Sequence, residues 1–250
     1  LLLLNAAHKM CNQNPLGSAA GYGSSFPIDR YDTTNTLGFE TMKFNAVAAQ
    51  MSRGKLEKNV AQAIGCLAAT LSRFSMDVCL YMSQNFDFIS FPEDITTGSS
   101  IMPHKKNPDV FELIRGKCNQ LQALPNELSM MATNLPSGYH REMQLFKGPI
   151  MQAIEDIKDC LSMTTYSIKE VKVKRDILND DKYAHVFSVD ALHELIQKGV
   201  PFRDAYVQVG EKINAGEFVS PKSPKHTHSG SIGNLELDAI REKFTRHFDW

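Results

Sequence analysis

The 250-residue chain has a single tryptophan, almost no excess of either charge (net -1) and five cysteines without a CxxC pair. Near-neutral charge argues against nucleic acid or an anionic membrane surface as partner. Cys11, Cys66, Cys79, Cys118 and Cys160 are odd in number and widely spaced. Such a set fits reduced thiols in a cytoplasmic protein better than a disulfide framework. No apolar run reads as long enough to span a bilayer, and Leu1–Leu4 is shorter than a signal-peptide core. Gly21-Tyr22-Gly23 lacks the third glycine and the preceding strand of a dinucleotide-binding turn. Strict polar–apolar alternation is scarce, so little sheet is expected.

What is present is helical periodicity. Residues from about 5 to 36 are rich in Asn, Gly, Ser and Pro and read as irregular. From about Leu37 to Met82 apolar residues return at helical intervals, with Val60, Ile64, Leu67, Leu71 and Phe74 in one stripe. Residues 83–97 form a polar and aromatic connection. A helix is expected from Pro108 to about Met131, its apolar positions Val110, Leu113, Ile114, Cys118 and Leu121, with Pro125 kinking or interrupting it. A further long pattern covers about 140–170, with Ile150, Ile154, Ile157 and Leu161 on one face and a break at Gly148-Pro149.

Beyond residue 172 the elements shorten: a helix over 189–198 capped by Ser188 and Gly199, one opened by Pro201 and ending near Gly216, and a last one from Leu235 to Trp250. His226-Thr227-His228 has metal-ligand spacing, but no Cys, Asp or Glu is close in sequence, so a solvated loop is expected and no metal. The expected fold is all-α: a long-helix bundle over residues 1–180 and a small C-terminal helical domain over 181–250.

The most informative stretch is Thr96-Thr97-Gly98-Ser99-Ser100-Ile101-Met102-Pro103-His104-Lys105-Lys106-Asn107-Pro108. Gly98 frees the backbone, hydroxyls follow, and then two ammonium groups and an amide precede a helix start. Free backbone donors and the positive end of the helix dipole favour a carboxylate or phosphate there. Bound by Lys105 and Asn107, a carboxylate acidifies its α-hydrogen, and preorganised donors stabilise the charge that builds when the proton leaves. Ser99, its pKa lowered by the same surroundings, can take that proton. Loss of a leaving group from the adjacent carbon then completes a β-elimination that needs no cofactor.

The stretch resembles the GSSxMPxKxNP signature of the fumarase/aspartase/argininosuccinate lyase superfamily at every specified position. The resemblance implies that Ser99 is catalytic, that Lys105 and Asn107 contact the substrate carboxylate, and that Glu112 partners a catalytic histidine. Leu135–Lys147 resembles the LPxxYxxDxQxxK segment of argininosuccinate lyases, which implies substrate binding by Tyr139, Gln144 and Lys147, with Glu142 in place of the Asp. Pro15–Ala19, Pro27–Arg30 and Gly199–Ala205 resemble further segments of those lyases.

Two departures stand out. His104 is more typical of adenylosuccinate lyases, and the DATSERD segment survives only as Ala48–Gly54, leaving Arg53 as a possible carboxylate contact. The family implies a dicarboxylate-type substrate, no cofactor, and a homotetramer with active sites shared between subunits. No segment matches the part that supplies the catalytic histidine, and the chain starts at Leu1. The expectation is therefore a C-terminal portion of a longer lyase, inactive alone. Other readings are an adenylosuccinate-type or other fumarate-releasing lyase, a catalytically retired crystallin-like protein, and an anion-binding module.

Overall fold

A computed structural model describes residues 1–102, 104–221 and 226–246; Pro103 of the signature and residues 247–250 of the last expected helix lie outside the described residues. The contacts divide the chain into two compact units, Leu1–Lys172 and Val173–Trp250.

The first unit is built on three long helices: α4 (Lys55–Met82), α5 (Asp109–Met131) and α6 (Lys147–Ile168). Their buried positions recur in steps of three and four. In α4 Ala61, Ile64, Ala68, Leu71, Ser75 and Val78 follow this spacing, with Ala63 and Gly65 buried beside them; in α5, Phe111, Ile114, Cys118, Leu121, Leu124 and Leu128 do. This seven-residue repeat keeps one face of a helix against its neighbour over many turns. In α4 a small residue recurs every seventh position (Ala61, Ala68, Ser75), as it does in α6 (Ala153, Cys160, Ser167). The small side chains leave room for Phe111, Ile114 and Leu128 from α5.

α5 runs antiparallel to both α4 and α6. Ser72 of α4 donates to Asn119 of α5 at 2.6 Å, and Phe74 meets Phe111 edge-on with ring centroids 6.3 Å apart. Lys117 of α5 pairs with Asp156 of α6. The Lys117 ammonium holds the Asp156 carboxyl below its usual range. Stability from this pair is complete above the unfolded carboxylate pKa of about 3.9 and is lost as pH falls through the lower folded value.

Several expectations need correction. α5 runs through Pro125 without interruption. Gly65 of α4 faces that ring: a Cβ there would stand 3.6 Å from Pro125 Cγ, so the helices come close enough for packing to offset the missing backbone hydrogen bond. Leu113 points to solvent (70% exposed), its place in the buried lane taken by Phe111. Gly148-Pro149 is no break but the first turn of α6, where proline lacks no needed donor; an Arg141–Phe146 3-10 turn precedes it. Ile154 and Leu161 lie on the exposed side of α6, while Ala153, Ile157 and Cys160 are buried. By length and composition α4 could cross a membrane, contrary to expectation; its apolarity is accounted for by the lane it buries in the bundle.

The N-terminal region is more ordered than its composition implied. Leu2–Cys11 forms α1 against α4, and Arg30–Thr36 forms α2. Asp29 caps α2 by accepting from the Tyr31 and Asp32 amides at 2.9 and 3.0 Å. The Arg30 guanidinium donates to the carbonyls of Leu16, Phe44 and Lys43 at 2.7–2.9 Å, tying two loop segments to the start of α2. Strands β1 (Gln13–Asn14) and β2 (Thr41–Met42) pair in parallel, Gln13 opposite Thr41. A short helix α3 (Ala46–Met51) precedes α4, and Gly54, at φ +75°, makes the corner between them.

In the second unit α7 (Ser188–Gln197) and α8 (Phe202–Asn214) pack through Leu192, Ala205 and Val209. Gly199 (φ +91°) ends α7: its amide bonds Ile196 O at 2.9 Å and that of Val200 bonds Leu195 O at 3.1 Å. This pairing satisfies carbonyls the helix end leaves open. Helix α9 spans Leu237–Thr245.

Two substitutions test this packing. A Cβ at Gly54 would stand 2.9 Å from Phe146 Cε2, at a backbone angle other residues disfavour. Gly54→Ala is expected to lower unfolding stability by about 1–3 kcal/mol, read as a lower urea midpoint at unchanged m. Ser75 is fully buried, its hydroxyl without a partner among the described residues. Ser75→Ala is expected to raise stability by about 1 kcal/mol in the same titration.

Candidate active site

The signature loop leaves the bundle at Thr97 and re-enters it at Asn107. The two residues form an antiparallel bridge, the Thr97 amide donating to Asn107 O at 3.2 Å and the Asn107 amide to Thr97 O at 2.8 Å. The Asn107 carboxamide also donates from Nδ2 to the carbonyls of Thr97 and Gly98, both at 3.3 Å. The Thr97 hydroxyl donates to the Asp109 carboxylate in the first turn of α5. Lys106 pairs with Glu93 at 3.4 Å, an exposed contact of little energetic weight.

Ser99 is half-buried, and its Oγ accepts two backbone amides, from Ile101 at 3.2 Å and Met102 at 3.1 Å. Donors aimed at a hydroxyl oxygen favour negative charge on it, the direction a proton acceptor needs. Lys105 is exposed on the same loop, and Glu112 is exposed on the first turn of α5. Ile101, at the loop's tip, is 87% exposed. Ser99, Lys105, Asn107 and Glu112 thus belong to one end of the bundle.

The other expected residues belong to the opposite end. Tyr139 is exposed, Gln144 half-buried in the 3-10 turn, and Lys147 exposed as the first residue of α6. The turn sits on the α3–α4 corner: the Gly138 amide approaches Met51 Sδ at 3.3 Å, and Phe146 and Met143 close over Gly54. Arg53, expected as a carboxylate contact, is engaged within the chain instead. Its Nε pairs with Glu57 at 2.9 Å and its Nη2 donates to Met143 O at 3.1 Å, next to Gln144. Arg53 therefore holds the segment that carries Gln144. The two ends are separated by the 23-residue α5, about 34 Å at 1.5 Å per residue. One chain presents both sets of residues without bringing them together.

Among the described residues no group of three or more His, Cys, Asp or Glu side chains is arranged to hold a metal ion. The fold does bring an acid to the His226–His228 pair that sequence distance concealed: Asp190 Oδ1 lies 2.7 Å from His226 Nε2. The five cysteines are unpaired thiols. Burial between α5 and α6 pushes the Cys118 thiol up to about 12, which makes it inert as a nucleophile.

Residues 3–123 match a protein family described as Lyase. The chain is 54% identical over 253 residues to an argininosuccinate lyase of Bacteroides fragilis, covering 100% of this chain and 57% of that protein. It is 35% identical over 243 residues to an argininosuccinate lyase of Xanthomonas campestris pv. campestris, covering 96% and 56%. The chain thus spans a little over half the length of the curated relatives it matches. Among solved structures, EDDS lyase in complex with formate superposes with a TM-score of 0.73 at 19% identity, over 84% of this chain and 43% of that one. The class II fumarase from Schistosoma mansoni superposes with a TM-score of 0.70 at 17% identity, over 98% and 53%. The chain is thus similar in sequence to lyases over residues 3–123 and shares the long-helix fold of EDDS lyase and class II fumarase.

Proposed function

We propose that this chain is the signature-loop portion of an argininosuccinate lyase, which releases fumarate and arginine by cofactor-free elimination. The observation that carries the reading is Ser99: its hydroxyl oxygen receives two backbone amides on a loop that also bears Lys105 and Asn107. Ser99 takes the proton from the carbon beside the substrate carboxylate. The electron pair left behind spreads into that carboxylate, where the Lys105 ammonium and the Asn107 amide stabilise the added charge. The bond to the nitrogen on the adjacent carbon then breaks, a double bond forms, and the departing guanidino nitrogen takes up a proton.

In the present position the Asn107 amide is held by the loop's own carbonyls. Engaging the substrate requires it to exchange those two bonds for the carboxylate. Tyr139, Gln144 and Lys147 lie a helix length away, so their contribution to substrate binding requires a second copy of the chain. A homotetramer with shared sites in the cytoplasm meets that requirement. Identity of 54% over the whole chain to an argininosuccinate lyase supports this substrate. The second reading, adenylosuccinate, rests on His104 in the signature loop.

The deciding measurement is fumarate release by the protein at the full length of its relatives, offered argininosuccinate and adenylosuccinate separately. Turnover of argininosuccinate alone is expected, and turnover of adenylosuccinate alone overturns the assignment. Ser99→Ala is expected to lower kcat about 10²- to 10⁴-fold with the fold intact by circular dichroism; unchanged kcat removes Ser99 from the mechanism. Residues 1–250 alone are expected to show no turnover, and measurable activity would refute that incomplete-site reading.

A further inference from the structure

The catalytic loop is attached to the bundle through a small network at its base. The backbone bridge between Thr97 and Asn107 closes residues 98–106 into a loop with a fixed root. The bridge fixes the two strands of the root to each other, but it does not fix the root to the bundle. One side-chain contact does so directly: the Thr97 hydroxyl donated to the Asp109 carboxylate. Asp109 opens α5, and Phe111 and Ile114, within its next turns, are among the most buried residues of the core. The acceptor is therefore carried by a part of the chain held rigidly by packing.

The same threonine governs the position of Asn107. Thr97 O accepts both the backbone amide and the side-chain Nδ2 of Asn107, at 2.8 and 3.3 Å. Ser99 follows Thr97 by two residues. A shift of Thr97 would therefore move Ser99 and the Asn107 amide together relative to α5.

We propose that Thr97 and Asp109 are positioning residues for the elimination: their hydroxyl–carboxylate bond pins the root of the catalytic loop to α5 and so sets where Ser99 and the Asn107 amide stand relative to that helix. Neither residue is assigned contact with the substrate. The proposal rests on the lyase reading of this loop given above. Sequence pattern alone did not single the pair out, because Thr97 and Asp109 flank the motif rather than lie within it.

Two measurements test it. In the 250-residue chain, amide hydrogen exchange is followed at Thr97 and Asn107 in wild type, Thr97→Val and Asp109→Ala. Both variants are expected to exchange faster at these two amides, with Leu121 and Leu128 in α5 unchanged. Equal rates at Thr97 and Asn107 would sink the pin, and faster exchange throughout α5 would make the contact part of the core instead. In the full-length protein, Thr97→Val is expected to lower kcat about 10- to 100-fold with little change in KM, the cost of a misplaced reacting group. Thr97→Ser, which keeps the hydroxyl, is expected to restore most of kcat. If wild type releases fumarate and Thr97→Val keeps its kcat, the positioning role fails while the lyase assignment stands. If wild type releases none from either substrate, the lyase assignment fails and the positioning role with it.

Discussion

The structure of the first unit depends on the match between small residues on two helices and large ones on the third. Ala61, Ala68 and Ser75 of α4 and Ala153, Cys160 and Ser167 of α6 recur every seven residues and let α5 bring Phe111, Ile114 and Leu128 into the space between. Close approach of this kind makes packing density the main source of order, since each helix alone is amphipathic and marginal in water. It also accounts for Gly65 and Pro125, two residues disfavoured in helix interiors, lying against each other where the two backbones come closest. Neither is compatible with the helix on propensity alone, and each makes the other's contact possible.

This rigid rod carries a lightly tied loop at one end and a clamped turn at the other. At one end the signature loop is held by a single bridge and a few polar contacts, with Ile101 exposed to solvent. At the other, the 3-10 turn is clamped by Arg53, Met51 and Gly54. The contrast is informative. The segment with Gln144 is fixed in advance by a guanidinium and by side chains closing over a glycine. The Ser99 loop is tied at its root by the Thr97–Asn107 bridge, and its crown is held by contacts within the loop.

Much of this was legible in the residues. The 3.6-residue pattern revealed α4, α5 and α6, and the stripe of Val60, Ile64, Leu67, Leu71 and Phe74 does meet the core, with Ile64 and Leu71 buried and the other three packed against it. Proline misled twice, because a ring in a first turn or opposite a glycine is tolerated while the sequence shows only the ring. Leu113 and Ile154 misled because helical spacing admits two adjacent faces, and only the partner helix selects one. The helix at Leu2–Cys11 was hidden by the polar, glycine-rich stretch that follows it. Asp190 beside His226, the Arg30 hub and the bond from Arg53 to Met143 are tertiary contacts with no local signature. Of the candidate site, Ser99, Lys105 and Asn107 stood out as a string, whereas the hydrogen-bond partners of Ser99 and Asn107 did not.

The seven-residue lane also makes α5 a ruler with coarse graduations. Its ends carry the two groups of expected site residues, and its buried face must stay in step with α4 and α6 along its whole length. Inserting or deleting one residue would rotate everything beyond it by about 100° and turn the lane away from its partners. Only changes of seven, or the smaller stutters that a supercoil absorbs, keep both ends facing as they do. The distance between the two ends can therefore change only in coarse steps, about 10.5 Å for a full seven residues. Variation in such a protein is confined to what the loops carry, while the length of the rod between them stays fixed.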